Sequence, residues 1–207
     1  MDLALKHALD RLGAALGLVA LAPVLAAIAV AIKLEDGGPV VFRQDRLGLG
    51  ARPFSIWKFR TMIPDADAHL DASGQATRSR VTRVGRFLRF TSLDELAQLF
   101  NILRGEMTFV GPRPVLPAHL DRYTDAQKRR FEVRPGITGL AQVSGRNQLP
   151  WSKRLALDVE YVDRRSLLVD AWILVRTVKV VLLREGVVLD RNPGQVDDLG
   201  PAPTEVR

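Results

Sequence analysis

The chain of 207 residues contains no cysteine. Disulfide bonds, thiolate metal sites and cysteine nucleophiles are therefore excluded. Histidine is scarce as well, since the three residues, His7, His69 and His119, are scattered along the sequence. Together these two absences argue against a zinc site, which needs clustered cysteine, histidine or carboxylate ligands.

Aromatic residues are also few, at 6% of the chain, and the charge is one-sided. Thirty Lys and Arg residues against 23 Asp and Glu give a formal net charge of +7, which favours an anionic partner. Nucleic acid, a phosphorylated small molecule and an anionic bilayer all fit that charge. Aromatic residues between the basic ones, as on a single-strand nucleic-acid surface, are limited to Phe87 and Phe90, so no nucleic-acid partner is expected.

A long uncharged run covers residues 12–32 of a chain that is otherwise globular in composition, with 47% hydrophobic and 26% charged residues. At about 1.5 Å per residue the run extends about 31 Å, enough to cross a hydrocarbon core. A signal peptide is the alternative, because Lys6 and Arg11 precede the run. The run exceeds the roughly 7 to 15 residues usual for the apolar region of a signal peptide, so membrane residence is favoured.

Pro23 lies at the middle of this run, where it removes a helical hydrogen bond and predicts a bend. Basic residues flank the run on both sides, so the positive-inside rule favours neither orientation. A helix that enters the membrane, breaks at Ala22 and Pro23 and returns to the same face satisfies both flanks. A straight span with a gentle kink is the alternative.

Two strands are predicted next, one around Val40 to Arg43 and one around Phe54 to Arg60, joined by a glycine-rich turn. Residues 134–147 hold three glycines, a proline and two arginines. This composition fits a loop whose backbone approaches a ligand, and it fits an ordinary turn-rich connector equally well. Residues 151–183 predict one or two interfacial or packed helices.

An arginine recurs at every third position between residues 80 and 89, which predicts a basic stripe along a helix. The stripe ends at Arg89, five residues before the acidic pair Asp94 and Glu95. Ser92 and Glu95 match the capping box S-x-x-E, which predicts a helix start with Asp94 in its first turn. On this stretch alone the carboxylates have two interpretations, helix capping and catalysis.

In chain order, these segments resemble the monotopic phosphoglycosyl transferases, the bacterial sugar transferase family that begins exopolysaccharide, O-antigen and glycoconjugate assembly. The resemblance spans about residues 1–190, nearly the whole chain. The matching segments are the proline-broken N-terminal helix, KFRTM (58–62), RFTSLDELAQLFNILRGEMTFVGPRP (89–114), RPGITGLAQVSGRN (134–147) and LDVEYV (157–162). The Leu-Asp-Glu-Leu block followed by Gly-Pro-Arg-Pro is the most specific of them. One departure is Ala22, where many members carry a serine before the proline.

The resemblance implies an α+β fold, a membrane-associated monotopic domain with a re-entrant N-terminal helix, a small β-hairpin or sheet and amphipathic interfacial helices. Residues 1–34 would form the membrane helix, 35–190 the catalytic domain and 191–207 a flexible tail. The resemblance also implies the bacterial inner (cytoplasmic) membrane, with the catalytic domain on its cytosolic face.

The resemblance further implies a reaction in which a sugar-1-phosphate passes from a nucleotide diphosphate sugar, usually a UDP-sugar, to polyprenyl phosphate such as undecaprenyl phosphate. UMP is released. Asp94 matches the family's nucleophile, which forms a covalent phosphosugar intermediate, and Glu95 matches the second member of the dyad. Binding of anionic lipid or nucleic acid by a membrane-anchored protein without catalysis is the alternative function.

A carboxylate that attacks a phosphate ester meets anion–anion repulsion, so a divalent cation and guanidinium groups must screen the charge. Mg²⁺ prefers one or two carboxylates plus phosphate oxygens, which Asp94, with or without Glu95, could supply. Arg89 and Arg113 are the nearby candidates for phosphate contacts. By resemblance, four further residues are expected to line the nucleotide-sugar site: Lys58, Arg60, Arg134 and Arg146.

Overall fold

The computed structural model describes residues 3–64, 66–69, 80–145, 148–183 and 197–199. Within these ranges the fold combines helices with two small sheets, as the predicted α+β class requires. Most of the predicted tail at 191–207, and the candidate site residue Arg146, lie outside the described residues.

The N-terminal helix is broken, as Pro23 predicts. Helix α1 (Leu3–Ala20) and helix α2 (Ala22–Asp36) meet at Leu21 with a bend of 63°. Pro23 lies in the first turn of α2, where its missing N–H costs no helical hydrogen bond. No single helix in the described ranges is long and apolar enough to cross a membrane, whereas this bent pair passes the length and composition test jointly. A bend of 63° is larger than the gentle kink of the straight-span alternative.

Helix α1 packs closely on the rest of the chain. Gly13 faces the ring of Phe109 and Gly17 faces Leu99, so the absence of side chains at these glycines allows close approach. Ala14, between them, is fully buried. The predicted membrane segment is thus partly covered by the domain that follows it.

A buried ionic network fixes the first turns of α1. Lys6 Nζ lies 2.7 Å from Asp170 Oδ2 and 3.4 Å from Asp10 Oδ2. The Tyr161 hydroxyl donates to Asp170 Oδ1 at 2.7 Å and lies 2.9 Å from the carbonyl oxygen of Val110. These groups come from α1, from helices α7 (Trp151–Arg164) and α8 (Leu167–Leu182), and from strand β3 (Thr108–Val110).

The predicted hairpin is confirmed. Strands β1 (Val41–Leu47) and β2 (Pro53–Phe59) pair antiparallel over their whole length, from Val41 opposite Phe59 to Leu47 opposite Pro53. Gly50 adopts a positive φ of 63° in the turn between them, a conformation that favours glycine. Phe42, Gln44 and Arg46 therefore share one face of the hairpin with Phe54, Ile56 and Lys58.

A second, parallel pair joins β3 to strand β4 (Gly136–Thr138). The glycines of this region bring backbones together, because a β-carbon at Gly111 would clash with the carbonyl of Arg134. Gly136 likewise donates its N–H to the carbonyl of Pro112 at 2.9 Å. The glycine-rich segment thus has a structural role within 134–145: it holds the chain against the Gly-Pro-Arg-Pro loop.

Helix α3 (Arg83–Thr91) carries three of the four arginines of the predicted stripe, and Arg80 precedes it. Phe87 on this helix is 59% exposed, whereas Leu88 is buried. The region 151–183 forms two helices, α7 and α8. On α8, apolar side chains of Leu168, Val175 and Leu182 are 71 to 83% exposed. The remaining helices are short: α4 (Leu99–Arg104), α5 (Asp125–Lys128) and α6 (Leu140–Ser144).

Candidate active site

The capping box predicted for Ser92 and Glu95 is wrong. Ser92 has left-handed backbone angles (φ 60°) and ends α3, and its side chain makes no capping hydrogen bond. The residues after it, Leu93–Gln98, form a 3₁₀ segment instead of the start of an α-helix. Glu95 turns away from Ser92 because two cations brought in from distant parts of the chain bind its carboxylate.

Glu95 lies between Lys58 and Arg113. Lys58 Nζ lies 2.7 Å from Oε1, and the Arg113 guanidinium donates to Oε1 at 2.5 Å and to Oε2 at 3.3 Å. Burial alone would raise the pKa of Glu95, but the two cations outweigh it and hold that pKa well below its usual range. Glu95 is therefore an ionised carboxylate engaged on both oxygens.

Asp94, its neighbour, has different surroundings. It makes no hydrogen bond or ion pair with any residue in the ranges that the structure describes. Burial raises the pKa of Asp94, the charge of Glu95 adds to that effect, and Lys58, Arg113 and Arg89 oppose it. Asp94 is thus a half-buried carboxylate that lies among cations and is not bound by them.

Arg89 comes from α3, and its charge acts on Asp94. Together with Lys58 and Arg113 it surrounds the two carboxylates, and these five residues form the cluster around Asp94. Arg89 Nε donates to Thr61 Oγ1 at 2.8 Å, and a β-carbon at Gly85 would collide with the Thr61 backbone, so α3 packs tightly against the KFRTM segment. The same segment contributes Lys58 from the end of β2. The KFRTM motif therefore positions one cation directly and a second through Thr61.

Two residues that the sequence analysis did not predict for this site, Arg130 and Asp158, hold the loop that carries Arg113. Arg130 Nη2 donates to the carbonyl of Arg113 at 2.6 Å and to Asp158 Oδ2 at 2.7 Å. The side chains of Arg130 and Asp158 are only 3 and 4% exposed. Asp158, in the LDVEYV motif, therefore fixes Arg113 through Arg130.

Arg60 lies elsewhere. Its guanidinium binds both carboxylate oxygens of Asp36 and the carbonyls of Pro39 and Met62. These contacts hold the end of α2 against β2. None of these partners belongs to the cluster around Asp94, so Arg60 holds structural elements together and does not line that cluster.

Arg134 also lies away from that cluster, near Arg11 and Asp10 of α1. The structure thus brings together Asp94, Glu95, Lys58, Arg89 and Arg113 of the predicted site residues, and separates Arg60 and Arg134 from them.

Arg46 is a member of the cluster that sequence reasoning missed. Burial lowers the pKa of Arg46, the charge of Arg113 lowers it further, and the charge of Glu95 raises it. Arg46 Nη2 donates to Gln44 Oε1 at 2.5 Å. Only the pairing register of the two strands could have predicted Arg46 for this site, because that register puts Arg46 and Lys58 on the same face of the hairpin.

The carboxylates of this cluster fit a magnesium ion that is held by one protein side chain. Glu95 is occupied by cations, so Asp94 is the carboxylate available for such an ion. No group of three or more histidine, aspartate or glutamate residues that could hold a metal occurs in the described ranges. Mg²⁺ commonly binds one or two carboxylates and completes its shell with water and substrate phosphates.

Comparison with known proteins identifies a matching protein family and several similar proteins, the family through its sequence model. A model described as "Bacterial sugar transferase" matches residues 1–184. The chain is 47% identical over 164 residues to the uncharacterized sugar transferase EpsL of Bacillus subtilis, covering 79% of this chain and 80% of that protein. It is 46% identical over 185 residues to the UDP-glucose:undecaprenyl-phosphate glucose-1-phosphate transferase of Caulobacter vibrioides, covering 86% and 69%. It is 40% identical over 196 residues to the exopolysaccharide production protein ExoY of Sinorhizobium fredii, covering 87% of each.

Proposed function

Because the chain belongs to the bacterial sugar transferase family, we propose that it transfers a sugar-1-phosphate from a UDP-sugar to polyprenyl phosphate, such as undecaprenyl phosphate. Relatives carry names such as undecaprenyl-phosphate glucose phosphotransferase, and the chain is accordingly a sugar-phosphate transferase. The single observation that supports the proposed chemistry is the unengaged Asp94 carboxylate among cations.

The proposed reaction has two displacements at one phosphorus atom. An Asp94 oxygen forms a bond to the sugar-bearing phosphorus of the donor, and the bond from that phosphorus to the bridging oxygen breaks. UMP leaves with the electron pair. An oxygen of polyprenyl phosphate then attacks the same phosphorus, the bond to Asp94 breaks, and the carboxylate is restored with the sugar diphosphate on the lipid.

The cations around Asp94 offset the negative charge of the UDP-sugar's diphosphate. Lys58, Arg113, Arg89 and Arg46 surround two carboxylates, so the cluster keeps an excess of positive charge for a diphosphate. Charge-assisted hydrogen bonds from guanidinium groups suit phosphate oxygens in particular. Glu95 holds Lys58 and Arg113 in place before the donor arrives, so that little reorganisation accompanies the reaction.

A magnesium ion is the proposed cofactor, held by Asp94 together with the donor phosphates. Bound there, it would supply neutralisation of the charge that develops on the leaving UMP. Lys58, Arg113 and Arg89 would orient the diphosphate so that the carboxylate faces the phosphorus opposite the bridging oxygen.

Asp94→Asn tests the proposal. We expect the purified variant to fold and to lose sugar-phosphate transfer, because an amide cannot act as the nucleophile. The measurement combines UMP release with transfer of label from a panel of UDP-sugars to undecaprenyl phosphate, with Mg²⁺ present. Asp125→Asn is the matched control, since Asp125 has a fully exposed side chain on α5. Transfer by Asp94→Asn at near wild-type rate would refute the assignment, and so would an inactive wild-type protein with every donor.

The covalent intermediate has its own test. With a donor labelled at the sugar-bearing phosphorus and no lipid acceptor, the wild-type chain should retain label after denaturation. An acyl phosphate is cleaved by hydroxylamine, so the label should then be lost. Label that stays on Asp94→Asn would point to another residue.

A further inference from the structure

An open cavity of about 510 Å³ lies at the turn end of the β1–β2 hairpin. Its wall comes from turn residues 48–54, from the end of α4 and from the segment that contains Arg134. Lys58 lies at the other end of β2, five residues beyond Pro53, and at about 3.3 Å per residue it is roughly 17 Å away. The cavity is therefore distant from the Lys58 end of the cluster around Asp94, whereas Arg46 of that cluster lies opposite Phe54, which lines the cavity.

Two arginines line this cavity without an acidic partner. Arg52 is exposed and Arg134 is half-buried, and neither makes an ion pair or side-chain hydrogen bond within the ranges covered by the structure. An arginine that loses part of its hydration without gaining a carboxylate keeps its charge and favours an anion.

The two carboxylates of the same wall are already engaged. Glu106 accepts a hydrogen bond from Asn101 Nδ2 at 2.7 Å and pairs with Arg104 at 3.2 Å. Glu132 pairs with Arg129 at 3.1 Å. Because these acids have cationic partners of their own, they leave Arg52 and Arg134 uncompensated.

A third arginine stands at the edge of the cavity. The guanidinium of Arg11 lies directly against Gly105, which lines the cavity and whose β-carbon would clash with it. Burial lowers the pKa of Arg134 and the nearby charge of Arg11 lowers it further, while Asp10 acts in the opposite sense. Asp10 is itself paired with Lys6. An anion between Arg11 and Arg134 would relieve their repulsion.

The position of Arg11 indicates where that anion comes from. Arg11 directly precedes the uncharged run of α1, on which Leu12, Leu16 and Val19 are 58, 63 and 76% exposed. Apolar surface of this kind, beginning beside a cationic cavity, matches the boundary between lipid phosphates and acyl chains. We propose that this cavity binds the phosphate group of an anionic membrane lipid through Arg52, Arg134 and Arg11.

The proposal does not rest on the transfer reaction, so its test uses an ordinary phospholipid. The full chain, purified in a neutral detergent, is mixed with dioleoyl phosphatidylglycerol, and native mass spectrometry counts the lipid molecules it retains. We expect the wild type to retain phosphatidylglycerol, and Arg52→Gln/Arg134→Gln to retain it at least about tenfold more weakly, as loss of two charge-assisted contacts requires. Phosphatidylcholine, which has no net charge, should bind weakly to both.

The matched control removes two charges elsewhere. Lys153→Gln/Arg164→Gln changes exposed residues of α7 and should retain phosphatidylglycerol like the wild type. Equal retention by all three proteins would overturn the proposal, and so would an equal loss in both double variants, which would mean binding to surface charge in general. Inorganic phosphate in excess distinguishes the source of the anion: if it displaces the lipid, the cavity is a site for a soluble phosphate and the lipid assignment fails.

Arg52→Glu keeps the test informative if the double variant does not fold, as judged by gel filtration and circular dichroism. Arg52 is exposed and has no side-chain partner in the described ranges, so a charge reversal there should leave folding intact. We expect it to lose phosphatidylglycerol retention. Unchanged retention would overturn the role of this arginine and the proposal with it.

Discussion

Asp94 and Glu95 are adjacent in the chain, yet their carboxylates meet different surroundings. Glu95 holds Lys58 and Arg113 through short ion pairs, whereas Asp94 has no such partner in the described residues. Both oxygens of the Glu95 carboxylate already accept hydrogen bonds from cations, so neither is open to a phosphorus atom. The pair therefore divides into a carboxylate that positions cations and a carboxylate that is available for the donor.

The variant Arg46→Gln tests whether Arg46 acts in the cluster around Asp94. We expect the variant to lose about tenfold to a hundredfold in kcat/KM, mainly through a higher KM for the UDP-sugar, since it removes one charged contact to the diphosphate. Steady-state kinetics at varied donor concentration measures this effect. Arg46→Lys should recover part of the loss, because it restores the charge without the planar donor group.

Arg43→Gln is the matched control for Arg46, on the same strand but the opposite face. Arg43 lies over the Trp57 ring at 4.3 Å, and its loss should cost only about 0.5 to 1 kcal/mol of stability with no change in donor KM. If both variants raised the donor KM equally, Arg46 would have no specific role at the site.

The failed capping box shows why single residues were only partly predictable. Ser92 and Glu95 fit the local pattern, and a cap is worth about 0.5 to 2 kcal/mol. Glu95 instead meets Lys58 and Arg113, which are 37 and 18 residues away in the chain. Local spacing cannot reveal such partners, and the same limit hid Arg46 and Arg130.

At the scale of elements, α1 has two environments. Its first turns carry Lys6 and Asp10, which are 5 and 8% exposed inside a network with Asp170. Its later turns carry exposed Leu16 and Val19. The helix is thus anchored to the folded domain along one side, by this network and by close packing at Gly13, Ala14 and Gly17, and presents apolar side chains on the other side.

Lys6→Met tests the ionic part of this anchoring. Removing the cation that pairs with both Asp10 and Asp170 would leave two buried carboxylates without an ion pair in the described residues, at a cost of about 3 to 5 kcal/mol. For a chain of this size we expect the apparent Tm in detergent to fall by roughly 10 °C. Scanning calorimetry or a dye-based melt measures the shift.

Two further variants interpret the Lys6 result. Lys153→Met, on the exposed face of α7, should leave the Tm nearly unchanged. Lys6→Met/Asp170→Asn should be more stable than Lys6→Met alone, because it removes one of the unpaired carboxylates. A double variant no better than the single one would mean that Lys6 acts through packing and not through charge.

The elements themselves were more predictable than the contacts between them. The helix break at Pro23 and the hairpin followed from strong local signals, a mid-run proline and a glycine-rich turn between apolar strands. The parallel pair of β3 and β4 did not, since each strand is three residues long and they pair across 25 intervening residues. The glycines at 136 and 139 were therefore open to interpretation as a ligand loop.

At the scale of the molecule, both ends of the bent α1–α2 pair are attached to the same domain. Near the start of α1, Lys6 binds Asp170 of α8. At the end of α2, Asp36 binds Arg60, and Glu35 accepts the N–H of Arg83 at 2.7 Å, capping α3. One folded domain cannot lie on both sides of a bilayer, so a pair held this way and bent by 63° must enter and leave by one face if it is embedded.

We therefore predict that both ends of the pair face the cytosol, with the domain at the inner face of the cytoplasmic membrane. The cysteine-free chain allows a direct test with Ala4→Cys and Pro39→Cys, both at exposed positions. A membrane-impermeant maleimide should label neither cysteine in cells whose inner membrane is intact, and both after permeabilisation. Labelling of one cysteine alone in intact cells would establish a crossing pair, which would require either the Lys6–Asp170 or the Asp36–Arg60 contact to break. Labelling of both in intact cells would place the domain on the outer face, where cytosolic UDP-sugar could not reach Asp94.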